Sequence, residues 1–104
     1  MRVLFDQSTP VPLKHHLPGH QIQVAFELGW SRLTNGELLV TAESRFDVLV
    51  TADRNLRHQQ SLAGRKLAIL VLPTTSWPQL IAHTQAIAAS LAEMKPGEYR
   101  ELSF

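Results

Sequence analysis

The segment Leu67-Ala68-Ile69-Leu70-Val71-Leu72 carries no polar residue. A strand with one face in water alternates apolar and polar side chains, whereas a short unbroken apolar run is what burial on both faces requires. Sheets covered on both faces are usually parallel and draw their strands from alternation with helices. Two other short apolar runs, Arg2 to Phe5 and Asp47 to Thr51, read the same way. A further strand is expected at Gln21 to Phe26, where Ile22, Val24 and Phe26 alternate with polar or small residues. The fold class that follows is α/β: a three-layer sandwich with a parallel sheet of four or five strands.

Helices are placed by their stop and start signals. Thr9-Pro10-Val11-Pro12-Leu13 opens a short helix, because proline is tolerated where its missing N–H costs nothing. Leu17-Pro18-Gly19 ends it. Thr34-Asn35-Gly36-Glu37 has the spacing of a capping box, and the helix it opens should run to about Arg45. Trp77, Leu80, Ile81, Thr84, Ile87, Ala88 and Leu91 recur at helical spacing, which predicts one long helix from Trp77 to Met94. Tyr99 to Phe104 can add an edge strand. Right-handed crossovers then put the first strand in the centre, the second on one side, and the third and fourth on the other.

Size and composition narrow the function classes. A chain of 104 residues is one domain by length, 1–104, and 44% hydrophobic content excludes a disordered segment. The net charge of +1 offers no global attraction to nucleic acid or membrane. There is no cysteine, which excludes disulfides and thiolate metal sites. The apolar stretch after Met1 is too short for a signal peptide, and no apolar run approaches the roughly 18 residues of a membrane span. A cytoplasmic domain without a membrane partner is the expectation.

Asp6 and Asp53 follow the first and third strands. In a parallel sheet both strands end on one edge, and in the predicted order they flank the point where the order reverses, which is where ligands bind in open α/β sheets. Neighbouring strands lie roughly 4.8 Å apart, so the two carboxylates can approach one cation. Hard oxygen donors suit Mg²⁺ or Mn²⁺, and through such an ion phosphate chemistry. Glu37 joins the candidate set because the helix leading into the third strand should begin near the same edge. Each has a structural alternative: aspartate is a favoured N-cap, and Glu37 is the third residue of a capping box.

Arg54, Arg57, His58, Arg65 and Lys66, with Gln59 and Gln60, add a local positive cluster after Asp53. Such residues grip phosphate backbones, although a solvated loop explains them equally. His15, His16 and His20 are separated by Pro18-Gly19 and hold no regular ligand spacing. Ser8 and Ser61 lack an accompanying His and Asp in recognisable order, and no glycine pattern forms a phosphate loop.

Four segments together carry a resemblance: Leu4-Phe5-Asp6-Gln7, Ala25-Phe26-Glu27-Leu28-Gly29, Asn35-Gly36-Glu37-Leu38-Leu39 and Asp47-Val48-Leu49-Val50-Thr51-Ala52-Asp53-Arg54-Asn55-Leu56. They resemble the PIN-like domain family, in particular its short bacterial branch related to VapC-type toxins of toxin–antitoxin pairs. The likeness runs from residue 1 to about 72. It implies a Mg²⁺- or Mn²⁺-dependent ribonuclease whose site is built from three or four acidic residues. Asp6, Glu37 and Asp53 match the acidic positions; Arg54, Asn55, Arg57 and Gln7 are the expected substrate-binding residues.

Relatives often carry further acids where this chain has Gln7, Asn35 and Asn55. An amide ligates a hard metal through its carbonyl oxygen but brings no charge, so weaker metal binding is implied. The expected function is thus a metal-dependent endoribonuclease with RNA as substrate and a cognate antitoxin protein as partner. The alternative is a catalytically impaired module that binds RNA or a partner protein. Trp77 and the segment Tyr99 to Phe104 are candidates for a homodimer contact.

Overall fold

The computed structural model describes residues 1–56 and 64–104. Among these residues five strands form one all-parallel sheet: β1 (Arg2–Phe5), β2 (Gln21–Val24), β3 (Val48–Thr51), β4 (Ala68–Val71) and β5 (Tyr99–Glu101), in the order β2-β1-β3-β4-β5. The order reverses between β1 and β3, as the crossover argument requires. β5 takes the edge beside β4.

Alternate residues of each central strand point into separate cores. Val3 and Phe5, Val48 and Val50, and Ala68 and Leu70 lie in one apolar cluster; Leu4, Leu49, Ile69 and Val71 lie in the other. Every residue of β3 and β4 is buried. The first cluster is covered by Leu13 of a short 3-10 helix (Val11–His16), by Leu80 of α2 (Trp77–Leu80), and by Ile87 and Leu91 of α3 (Thr84–Glu93). Leu38, Leu39 and Ala42 of α1 (Asn35–Glu43) cover the second. The result is the three-layer α/β sandwich that the apolar runs imply.

The predicted capping box on α1 is present. Thr34 Oγ1 accepts the Glu37 N–H at 3.2 Å, and Glu37 Oε1 accepts the Thr34 N–H at 3.0 Å. Thr34→Ala should cost about 1 kcal/mol, read as a lower urea midpoint with unchanged slope. The Thr34 backbone N–H holds the Glu37 carboxyl below its usual range. Asp47 is lowered by the Arg2 backbone N–H, which donates to it at 2.7 Å. A depressed folded-state value stabilises above the unfolded value and is lost as pH falls through the folded one. Stability should therefore hold above the ordinary carboxylate range near about pH 4 and decline below it; a urea series against pH checks this.

Two expectations fail in instructive ways. The long helix predicted from Trp77 to Met94 is broken, with a 3-10 turn at Ile81–His83 separating α2 from α3. Ile81, where the tighter turn begins, is 49% exposed, while Leu80, Ile87 and Leu91 stay fully buried. His83 at the break stacks on Phe104, ring centroids 4.1 Å apart. The second strand stops at Val24 instead of Phe26. Leu28 N–H donates to Val24 O and Trp30 N–H to Ala25 O, which turns the chain away and leaves Phe26 72% exposed.

Gly97 turns the chain into β5 at φ +76°, and a Cβ there would lie 2.7 Å from the Arg65 carbonyl oxygen. Its own N–H donates to Lys66 O at 2.8 Å, so the turn cannot simply move away. Gly97→Ala should destabilise by about 2 kcal/mol through left-handed strain and this contact together. A lowered midpoint in urea reports it, and a midpoint equal to that of the wild type contradicts the contact.

Candidate functional site

The carboxyl edge of the sheet is tied together by Asp6. Its Oδ1 accepts the Ser8 N–H at 3.1 Å and the Ser8 hydroxyl at 2.7 Å, and lies 3.1 Å from Thr9 Oγ1. The Thr9 hydroxyl has one proton and also faces Val50 O at 2.8 Å, so the two acceptors share it. Oδ2 accepts the Thr51 hydroxyl. These hydroxyls are acceptors in turn: Ser8 Oγ receives the Ala52 N–H at 2.9 Å, and Thr51 Oγ1 the Asp53 N–H at 3.0 Å. Two backbone N–H groups beyond β3 are thereby linked through hydroxyls to the carboxylate beyond β1.

Asp53 is held more lightly. Oδ1 accepts the Asn55 N–H at 2.9 Å, an aspartate turn two residues long, and Oδ2 lies 3.4 Å from Asn35 Nδ2. Asp6, Gln7, Ser8, Asn35 and Asp53 line one cleft of about 250 Å³, with Trp30 among its walls. The Trp30 ring is packed edge-on to Phe46 at 6.0 Å and covered by the Arg45 guanidinium at 5.0 Å, so it serves as support for the wall.

The cleft unites Asp6, Asp53 and Gln7 of the predicted site, and Gln7 Nε2 donates to the Ser31 carbonyl across it. Glu37 does not line it. The N-terminus of α1 does reach the cleft, as its position before β3 requires, but the side chain it presents there is Asn35; Glu37 is exposed and occupied by the cap. Arg54 and Asn55 are exposed beside Asp53. Arg57, His58, Gln59 and Gln60 lie outside the described residues. Trp77, expected at an interface, is partly buried against the apolar cluster and tilts on His16 at 5.4 Å.

Sequence reasoning missed Ser8, Thr9 and Thr51 as partners of Asp6. Their signal is a run of hydroxyls next to one strand-end aspartate and before the other, at Ser8-Thr9 and Thr51. Thr9 and Thr51 are the buried polar residues among those described, at 3% and 1% exposure.

The donors around the cleft are all oxygens or nitrogens of amides, carboxylates and hydroxyls, a set suited to a hard cation or to hydrogen bonding with a polar ligand. Among the described residues no three His, Asp or Glu side chains are grouped to hold a metal by themselves. Nor, among them, is any helix long and apolar enough to cross a membrane. Comparison with protein-family models, with curated proteins and with solved structures gives no match. What the site can do is therefore read from its own donors and acceptors.

Proposed function

We propose that the chain is a metal-dependent endoribonuclease of PIN-like type that uses Mg²⁺ or Mn²⁺. The observation that carries this reading is the convergence of two strand-end carboxylates, Asp6 and Asp53, on one cleft at the reversal of strand order. A carboxylate offers about four lone-pair sites. By its partners among the described residues, Asp6 keeps a free site on Oδ2 and Asp53 keeps one on each oxygen. The amide oxygen of Gln7, which also borders the cleft, adds a neutral donor. Two carboxylates with several positions left for water and substrate is how Mg²⁺ is usually held. Bound there, the ion would neutralise charge on a phosphodiester and make its water a better nucleophile.

The chain's own residues have plain tasks in this reading. Asp6 is fixed by three hydroxyls and so presents its remaining lone pair in one direction. Asp53, with fewer partners, adjusts to the ligand. Arg54 is exposed beside it and can meet a substrate phosphate. Glu37 acts here through the helix cap that presents Asn35. A toxin role with a cognate antitoxin is part of the proposal and is carried by the family resemblance alone.

One observation favours a second reading. Glu37 is committed to capping and Asn35 takes the place of an acid at the cleft, so the negative charge available to a cation is that of two carboxylates. In this reading the domain binds RNA or a partner protein without turnover. Cleavage of single-stranded and structured RNA by the purified chain with Mn²⁺, abolished by EDTA, is the expected result. Intact RNA after prolonged incubation, with no Mn²⁺ binding by calorimetry at millimolar metal, would leave the second reading in possession.

A further inference from the structure

We infer that a second cavity, on the other side of Asp6 and Gln7, holds one unpaired nucleobase stacked on the Phe26 ring. The inference rests on the ribonuclease reading above and names how that site would grip its substrate.

Phe26 is more exposed than any other large apolar side chain among the described residues. Its backbone is nevertheless held. Gly29 N–H donates to Phe26 O at 3.1 Å, and Trp30 N–H to the carbonyl of Ala25, which is 1% exposed. The ring is thus presented to solvent from a hydrogen-bonded turn whose neighbouring residue is anchored in the core. It walls a cavity of about 300 Å³, bordered also by Asp6, Gln7, Thr9, Val11 and Glu27. Asp6 and Gln7 border the cleft described above as well, so the two spaces adjoin at the proposed reaction centre.

The chemistry of the borders selects the occupant. An aromatic face and Val11, itself 39% exposed, suit a flat ring. The Glu27 carboxylate repels phosphate and accepts N–H donors. With Nε2 of Gln7 given to Ser31, its Oε1 is a further acceptor. A nucleobase with an exocyclic amino group satisfies both demands, and its phosphate then falls outside the acidic border. Lys14 pairs with Glu27 Oε1 at 3.7 Å, which leaves further lone pairs of that carboxylate for an N–H donor. An aliphatic peptide side chain would use the apolar wall and leave the acceptors unpaired.

Affinity of the full chain for a short 2′-O-methyl oligoadenylate, measured by fluorescence anisotropy with Mn²⁺, separates these occupants. Phe26→Leu keeps the apolar contact and removes the π-face, so it should weaken binding roughly 5- to 100-fold, as loss of one stacked base does. Phe26→Trp should bind at least as well as wild type. An abasic oligomer of the same length should bind more weakly than oligoadenylate and be indifferent to Phe26→Leu. Binding of oligoadenylate by Phe26→Leu within about twofold of wild type overturns the stacking site, as does an equal loss on the abasic oligomer. If wild type cleaves RNA yet Phe26→Leu is unaffected, the stacking site alone fails. If wild type neither binds nor cleaves, the ribonuclease reading fails and the inference with it.

Discussion

Asp53→Asn is expected to lower Mn²⁺-dependent RNA cleavage roughly 100-fold or more while leaving the fold intact. The size follows from the several kcal/mol that charge stabilisation by a bound cation contributes to a phosphoryl transition state, at about 1.4 kcal/mol per tenfold in rate. The variant removes half of the carboxylate charge facing the cleft and keeps the shape. The amide oxygen introduced at this position would still accept the Asn55 N–H in a side chain of the same shape. Near-equal urea midpoints with a large difference in initial rate are the signature. A variant that cleaves like wild type places the chemistry elsewhere and leaves the cleft to binding.

Asp6→Ala should behave in the opposite manner and unfold more readily by about 3 kcal/mol. Leaving a buried hydrogen-bonding group without its partner costs roughly 1–3 kcal/mol, and of the hydroxyls on Asp6 those of Thr9 and Thr51 are buried. Thr51 loses its acceptor, and Thr9 retains only Val50 O. Ser8 and Thr51 are also freed to move away from the Ala52 and Asp53 N–H groups they accept from. For a domain of this size the change corresponds to roughly 10–20 °C in Tm. Asp6→Asn retains one acceptor oxygen and should lose less. Combining Asp6→Ala with Thr51→Val should cost less than the sum of the two alone, because both remove the same link. Additive losses in calorimetry would show that the hydroxyl network contributes nothing as a unit.

The two carboxylates look alike in the chain. Both follow apolar runs and both precede turns. Asp6 is bound by hydroxyls brought from its own loop and from β3, whereas Asp53 has a backbone N–H and a distant amide. The first is a structural tie that has one lone pair to spare on Oδ2. The second is the better candidate for a ligand that comes and goes.

Local signals carried the fold far. The apolar run ending at Leu72 demanded two covered faces, and the short length of each strand with helices between them demanded a parallel order. The capping box at Thr34 and Glu37 was readable because all of its atoms lie within one turn of chain. Helix phase was less readable. The pattern from Trp77 to Leu91 fits a continuous helix, and only packing against Leu13, with His83 stacked on Phe104, accompanies the tighter turn at Ile81–His83. The outward turn of Phe26 likewise depends on where the chain after Val24 must go to reach α1.

That Asp6 and Asp53 follow β1 and β3 on one edge of a parallel sheet was readable from the chain alone, because strand burial and crossover handedness leave few other arrangements. Tertiary structure decided which side chains meet them. Asn35 rather than Glu37 faces Asp53, since the same helix start cannot both close a capping box with Glu37 and present that carboxylate to the cleft. Thr51 and Ser8 bind Asp6 because strands distant in the chain lie side by side, with Phe5 registered against Val50. Periodicity places a residue on an edge; the partner it finds there depends on atoms that only the assembled sheet brings within reach.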